Sequence, residues 1–111
     1  MVVEALKANY GDVGAANILA TVYRQRATAH IRKQSWDLAI ADLTEAVPLS
    51  SDNGYTALVD RSKIYEGLGQ REQAIADLQS ALGVRPGSEE VRLALRRLGA
   101  ASKPAAPIRG L

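Results

Sequence analysis

Apolar side chains recur along the chain at intervals of three and four residues, which is the spacing of one face of an α-helix. The two clearest stripes share the same spacing and consist of Ala39, Ile40, Leu43, Ala46 and Val47, and of Ala74, Ile75, Leu78, Ala81 and Leu82. The stretches that hold them, LAIADLTEAV and QAIADLQSAL, are nearly the same, and equivalent residues lie 35 positions apart. Repetition at such a period is typical of stacked helical arrays, so the pattern predicts one structural unit used twice.

Turn-forming residues indicate where the first helices begin and end. A short helix, VVEALKAN, is predicted before the turn at Tyr10-Gly11-Asp12. Asp12 is expected to cap a long helix that continues to about Lys33, and Ser35 to cap the helix after it.

The later helices are bounded in the same way. The second helix is predicted over 36–47, because Pro48 disfavours helical geometry in the residue before it. A third helix is predicted over 55–67 and a fourth over 71–82, and Ser88 followed by two glutamates is a typical start for a fifth. The apolar line of this fifth helix consists of Val91, Leu95 and Leu98.

The composition agrees with an all-α fold. Strong helix formers dominate, phenylalanine is absent and there is no cysteine, which excludes disulfides and thiolate metal sites. The opening residues, MVVEALKANYGD, are too few and too polar for a signal peptide, and no stretch approaches a membrane span. We therefore expect a cytoplasmic location.

Charge is distributed in alternating blocks around a net charge of +2. Residues 21–33 hold four basic residues and no acid, residues 34–60 hold five acids and no base, and every charge after Glu90 is positive. Blocks of opposite sign along a helical chain neutralise each other between packed neighbours, whereas a nucleic-acid surface shows one large basic excess.

The two units have small, aromatic and apolar residues at matching places. In the second unit these are Leu58, Arg61-Ser62, Tyr65, Ala74, Leu78 and Pro86, and in the first Tyr23, Arg26-Ala27, His30, Ala39, Leu43 and Ser51. This pattern, over 20–88, resembles the tetratricopeptide repeat, a helix–turn–helix unit of about 34 residues with the signature W-x₂-L-G-x₂-Y, A-x₃-F and P. The resemblance implies an α–α superhelix, a right-handed stack of antiparallel helix pairs in which the small residues let helices approach closely.

The resemblance also implies a division of the chain. It consists of an N-terminal helical segment with the start of the first repeat helix (1–19), repeat 1 (20–54), repeat 2 (55–88), a C-terminal capping helix (89–100) and a disordered tail (101–111). Within each repeat an arginine precedes an aspartate by 16 residues, Arg26 with Asp42 and Arg61 with Asp77. These pairs either join the two helices of a repeat or are simply solvated, and the sequence leaves both readings open.

Tetratricopeptide arrays bind extended peptides or a partner's helix along a concave surface, so the resemblance implies a non-catalytic protein-interaction module. The residues implied for that surface are Thr21, Arg24, Thr28, Ile31, Arg32, Thr56, Val59, Lys63 and Glu66. The set is weakly basic, which favours a partner with acidic groups; the alternative is that these residues are ordinary solvated positions. Binding of acidic chaperone tails is disfavoured, because Thr28 and Asp60 stand where asparagines are expected, and Glu90 and Ala94 where a lysine and an arginine are expected.

Signals for catalysis are poor. His30 is the single histidine, so a histidine metal site lacks partners, and we expect it to pack against the partner helix. Gly67-Leu68-Gly69 lacks a preceding strand and is read as a turn rather than a phosphate loop, and Trp36 as a packing residue rather than a ligand anchor. No enzymatic activity and no cofactor are expected.

Two other functions remain open. A short array leaves its ends uncovered, so the chain could be a self-assembly unit that forms a homo-oligomer, with Leu93 extending an apolar patch. Nucleic-acid binding is the less favoured reading because no aromatic stacking group accompanies the basic residues near the C-terminus, which are Arg92, Arg96, Arg97, Lys103 and Arg109.

Overall fold

The computed structural model describes residues 13–99, which form α-helices and no strand. The five helices of this range are α1 (Val13–Arg32), α2 (Trp36–Ala46), α3 (Tyr55–Gly67), α4 (Arg71–Val84) and α5 (Glu89–Arg97). A short 3₁₀ helix, Val47–Leu49, follows α2 directly. The predicted VVEALKAN helix, the Asp12 cap and the tail from Ala101 lie outside the described residues.

The predicted boundaries of the helices are largely confirmed. α3 has the predicted bounds and α4 continues two residues beyond the predicted end. The distortion expected before Pro48 is the change from α to 3₁₀ geometry. Ser88 caps α5, its hydroxyl accepting a hydrogen bond from the Val91 N–H at 3.2 Å. The prediction for Ser35 was wrong in one respect: it precedes α2, but its side chain makes no capping hydrogen bond.

The helices pack in sequence order as antiparallel pairs, which confirms an all-α helical repeat superhelix. α1 packs on α2 and α3 on α4, while α2 contacts α3 and α5 covers α4. Ala39 and Ala74, which stand at the same place in the two copies of AIADL, are completely buried. Small residues at these contacts let the helix backbones approach closely, as the sequence predicts.

The turns inside the two pairs also repeat. The N–H of Ser35 donates to the His30 carbonyl and that of Gln70 to the Tyr65 carbonyl, both at 2.8 Å. Both turns pass through left-handed backbone just before these donors, at Gln34 in the first and at Gly69 in the second. The duplication therefore extends to backbone geometry, even though the residues differ.

The two Arg–Asp pairs join the helices of each repeat, so the solvated alternative is wrong. Arg26 binds Asp42 through two hydrogen bonds of 2.9 and 2.8 Å, and Arg61 binds Asp77 at 2.8 and 2.6 Å. Arg61 also donates to the Thr44 hydroxyl of α2 at 2.7 Å, which connects the second pair to the first.

Asp52 holds the N-terminus of α3. Its carboxylate accepts hydrogen bonds from the Gly54 N–H at 3.0 Å, the Thr56 N–H at 3.0 Å and the Thr56 hydroxyl at 2.7 Å. Partial burial acts to raise the pKa of Asp52, but these hydrogen bonds outweigh it and the pKa lies below its ordinary value.

We expect Asp52→Ala to lower the free energy of unfolding at neutral pH by about 1 kcal/mol, the usual cost of losing a helix cap. A carboxylate with a lowered folded-state pKa stabilises the fold fully above the ordinary pKa of about 4 in the unfolded chain, and less as pH falls through the folded-state value. Urea unfolding of both proteins across the acidic range tests this. A difference between parent and variant that does not shrink with acid would contradict a role for the ionised carboxylate.

Candidate functional site

The surface between α1 and α3, the first helices of the two pairs, forms a groove that we call the inner groove. Its main feature is an apolar cavity of about 450 Å³. The lining residues come from α1, α3, the start of α2 and the residue after α3; they are Thr28, Ile31, Trp36, Asp60, Lys63, Ile64, Gly67 and Leu68. A cavity of this size is typical of sites that take up a side chain or a small ligand.

Apolar surface continues from this cavity to the edge of the stack. Trp36 and Leu68 also line a neighbouring cavity of about 510 Å³ at the turns inside the two pairs. There Leu38 is 55% exposed and Leu68 is 38% exposed, although both are large apolar side chains. Trp36 is half-buried: it packs against the core and also lines both cavities. The resulting apolar strip consists of Ile31, Trp36, Leu38, Ile64 and Leu68.

The other end of the inner groove is polar. A smaller cavity of about 200 Å³ is lined by Thr21, Arg24, Gln25, Thr28 and Asp60. The Nε atom of Arg24 is buried, and no described residue accepts a hydrogen bond from it. A buried donor without an acceptor is uncommon in folded proteins and indicates a place where a further group can bind.

Asp60 lies between the two parts of the groove, because it lines both the apolar and the polar cavity. Burial raises the pKa of this carboxyl group above its usual value, and the positive charges of Lys63 and Arg24 offset only part of that effect. Lys63 faces Glu90 of α5, with Nζ 3.8 Å from the carboxylate. The groove therefore contains a half-buried acid between groups of both signs.

Five of the nine residues implied by the family resemblance line the inner groove; they are Thr21, Arg24, Thr28, Ile31 and Lys63. The structure places the other four differently. Val59 is 6% exposed and belongs to the core, while Thr56 hydrogen-bonds Asp52 at the start of α3. Glu66 forms an ion pair of 2.8 Å with Arg97 of α5. Arg32 is exposed at the end of α1 and lines none of the three cavities described above.

Sequence reasoning missed several residues of the site. Ile64, Gly67 and Leu68 line the apolar cavity, although the sequence marks Gly67 and Leu68 only as part of a turn and Ile64 not at all. The sequence favours packing over a ligand anchor for Trp36, and it marks Asp60 only as a mismatch to the chaperone-tail clamp. The signal available for Trp36 was its residue type, since tryptophan is enriched at interfaces.

His30 takes the packing role predicted for it. Its Nε2 atom lies 3.6 Å from an oxygen of Asp42, so it faces the partner helix rather than the groove. Among residues 13–99 no group of three or more His, Cys, Asp or Glu side chains could hold a metal ion. None of the helices in the same range is both long and apolar enough to cross a bilayer.

The chain is similar to short segments of much longer proteins. It is 32% identical over 82 residues, or 74% of its length, to Protein unc-45 homolog B of Danio rerio, and 33% identical over 81 residues, or 73%, to the protein of that name from Homo sapiens. It is 29% identical over 89 residues, or 80%, to Sperm-associated antigen 1 of Mus musculus. These segments make up 9–10% of the relatives, so the chain spans about a tenth of their length. No family model and no solved structure matches the chain.

Proposed function

We propose that this chain is a short tetratricopeptide-like array that acts as a non-catalytic protein-interaction module. Repeat 1 spans 20–54, repeat 2 spans 55–88, and the capping segment, 89–100, contains α5. The ligand is an extended peptide or one face of a partner's helix, bound in the inner groove. The observation that carries the proposal is the apolar cavity of about 450 Å³ between α1 and α3, beside the exposed Leu38 and Leu68.

The chemistry of the groove supports a peptide ligand. The apolar strip offers a site for one or two large side chains, and the buried Nε of Arg24 offers a donor to a backbone carbonyl or a carboxylate. An acidic group on the partner therefore remains part of the proposal at the Arg24 end. Two repeats bury less than roughly 1,200 Å² with a partner, which is the range of transient contacts.

The similarity to segments of longer proteins supports the interpretation as a module but does not indicate a ligand. Segments of 81 to 89 residues are shared with proteins of which they form about a tenth. A unit of this size that occurs inside longer chains is typical of a binding domain joined to other parts.

Trp36 provides a direct test, because it is the chain's only tryptophan and it lines the apolar cavity. We would select ligands from a phage-displayed library of random peptides about twelve residues long, enough to span the groove in extended form. Binding of a selected peptide is expected to shift the tryptophan emission in a saturable way. Selected peptides that bind without changing this emission would place the ligand elsewhere and contradict the proposal.

We expect Leu68→Ala to weaken binding of the selected peptides by about tenfold, because an anchor side chain in an interface is worth about 1–2 kcal/mol. Leu93→Ala is the matched control, since Leu93 is 51% exposed on α5 and lines neither cavity of the strip. Fluorescence titration of both variants gives the affinities. Equal loss in the two variants would rule out the apolar strip as the binding surface.

Self-assembly through the repeat ends is the second candidate, and the exposure of Leu93 on α5 is the observation that favours it. Static light scattering over a wide concentration range separates the two, because an obligate assembly unit does not remain a monomer on dilution. Nucleic-acid binding has less support. Arg92 donates to the Pro86 carbonyl at 2.8 Å and Arg97 pairs with Glu66, so both are engaged within the fold.

A further inference from the structure

Asp60 differs from the other half-buried or buried aspartates of the described chain in having no bonded partner. Asp42, Asp52 and Asp77 each accept at least two hydrogen bonds. Asp60 makes no hydrogen bond or ion pair with any residue of 13–99, although burial desolvates it. A partly desolvated carboxylate is costly unless something compensates it, so its place at the centre of the groove calls for a ligand group.

The cations nearest to Asp60 are shared with other acids. Lys63 lies 3.8 Å from Glu90, and Glu90 itself acts to raise the pKa of Asp60. Arg24 acts on Asp52 as well as on Asp60. Among these described residues the three carboxylates of Asp52, Asp60 and Glu90 face only two cations, Arg24 and Lys63. The centre of the groove therefore favours an added positive charge, unlike the weakly basic surface that the sequence indicates.

We infer that Asp60 is the specificity-determining residue of the groove, and that it pairs with a lysine or arginine of the partner beside an apolar side chain that fills the cavity. The inference rests on the proposed function and names the ligand that the groove selects. Two observations carry it: an unpaired carboxylate that lines both cavities, and an apolar cavity that begins at the same residue.

The geometry of α3 sets the spacing between the two ligand groups. Ile64 and Leu68 follow Asp60 at successive turns, so they lie about 6 and 12 Å farther along the helix axis. An extended peptide covers this distance in about two to four residues, and a helix in one or two turns. For an extended peptide, the form that the selection uses, the expected motif is a basic residue and a large apolar residue separated by one to three positions.

Asp60 is also expected to lower the stability of the free protein. Its folded-state pKa is raised, so stability falls as pH rises from the ordinary pKa of an aspartate through the raised value. Replacement by asparagine removes this cost, so we expect Asp60→Asn to melt at a higher temperature than the parent at neutral pH. Loss of binding in that variant would then not be due to unfolding.

The test repeats the peptide selection with the parent, Asp60→Asn and Asp60→Lys. The parent is expected to enrich the basic–apolar motif, Asp60→Asn to keep only the apolar preference, and Asp60→Lys to replace the basic residue by an acidic one. Enrichment of acidic peptides by the parent, or of basic ones by Asp60→Asn, overturns the inference while the proposed function stands. If neither the parent nor the variants enrich any peptide, the proposed function fails as well.

Affinities measured by Trp36 fluorescence complete the test. For a peptide selected by the parent, Asp60→Asn is expected to weaken binding roughly three- to tenfold, and replacing the peptide's basic residue by glutamine to have little further effect in that variant. Glu45→Gln is the matched control, because it removes the same charge from an exposed site on α2 outside the groove. An equal loss with Glu45→Gln would show general charge attraction and overturn the pairing.

Discussion

Replacing Asp77 by alanine is expected to lower the free energy of unfolding by about 3 kcal/mol, and the same change at Asp42 by about half as much. Both carboxylates are buried at equivalent places in the two repeats, and each accepts two hydrogen bonds from an arginine. The arginine side chains differ, since that of Arg61 is 19% exposed and that of Arg26 is 42% exposed. Water can replace less of the lost interaction at the more buried guanidinium, so removing Asp77 costs more stability at Arg61 than removing Asp42 costs at Arg26.

The duplicated chain supplies the control for this comparison. The Asp77 hydrogen bond is the main cause that raises the pKa of Arg61, and Asp77 adds its charge to the same effect. Double-mutant cycles on the two pairs, measured by urea unfolding, separate the coupling from the loss of the carboxylate itself. Equal coupling in both repeats would show that guanidinium exposure does not determine the strength of the pair.

Gly54→Ala is expected to lower the free energy of unfolding by about 3 kcal/mol, through left-handed backbone strain and overpacking together. Gly54 has a φ of +81° immediately before α3. A Cβ atom at this place would lie 2.7 Å from the Val47 Cγ1 atom and 2.9 Å from the Val47 carbonyl oxygen. The carbonyl belongs to the 3₁₀ helix and cannot move without disturbing the connection between the two helix pairs.

Gly69→Ala is the matched control for that variant. Gly69 has a φ of +78°, and beyond Gly69 and its two chain neighbours no atom of the described residues lies within 4 Å of the place where a Cβ would stand. Its replacement is therefore expected to cost about 1 kcal/mol, from backbone strain alone. Thermal and urea unfolding of both variants measure the difference. Similar costs would mean that the contact with Val47 relaxes freely and that the connection is less rigid than its packing indicates.

The helix pairs could be predicted from the sequence because residues three or four positions apart lie on the same face of an α-helix. The AIADL copies place Ala39 and Ala74 on a buried face, and both side chains are completely buried. A separation of 16 residues brought an arginine and an aspartate together across a helix pair in both repeats. Such contacts lie within one hairpin, where the turn is short and few arrangements are available to the chain.

The candidate site was predicted only in part, because the solvent exposure of its side chains depends on contacts between the two hairpins and with α5. α3 packs against neighbours on most sides, so Val59 is buried although it shares a helix face with Lys63. Glu66 pairs with Arg97, which lies 31 residues later on α5. No helical period gives the partner of a side chain at that distance, since the docking of α5 on the stack decides it.

The backbone conformation of the two turns likewise follows from the local sequence at one place and from tertiary contacts at the other. Gly69 reads as a turn residue, whereas Gln34 carries no such signal and still adopts a φ of +59° at the equivalent place. The turn hydrogen bonds and the packing of α1 on α2 hold it there, at a conformational cost that local preference would avoid. Tertiary contacts outweigh the residue's own preference at this position.

The order of helices and their buried faces were determined by the sequence alone, because these features follow from local spacing along a regular helix. The sequence offered the Arg–Asp ion pairs within each hairpin only as one of two readings, and the packing of the helices decided for them. The inner groove, the unpaired Asp60 and the exposed edge of Trp36 were decided only by the tertiary structure. Each of them is a surface left between elements distant in the chain, and its solvation depends on how whole helices dock. The function we propose depends on that remaining surface, which no single helix specifies.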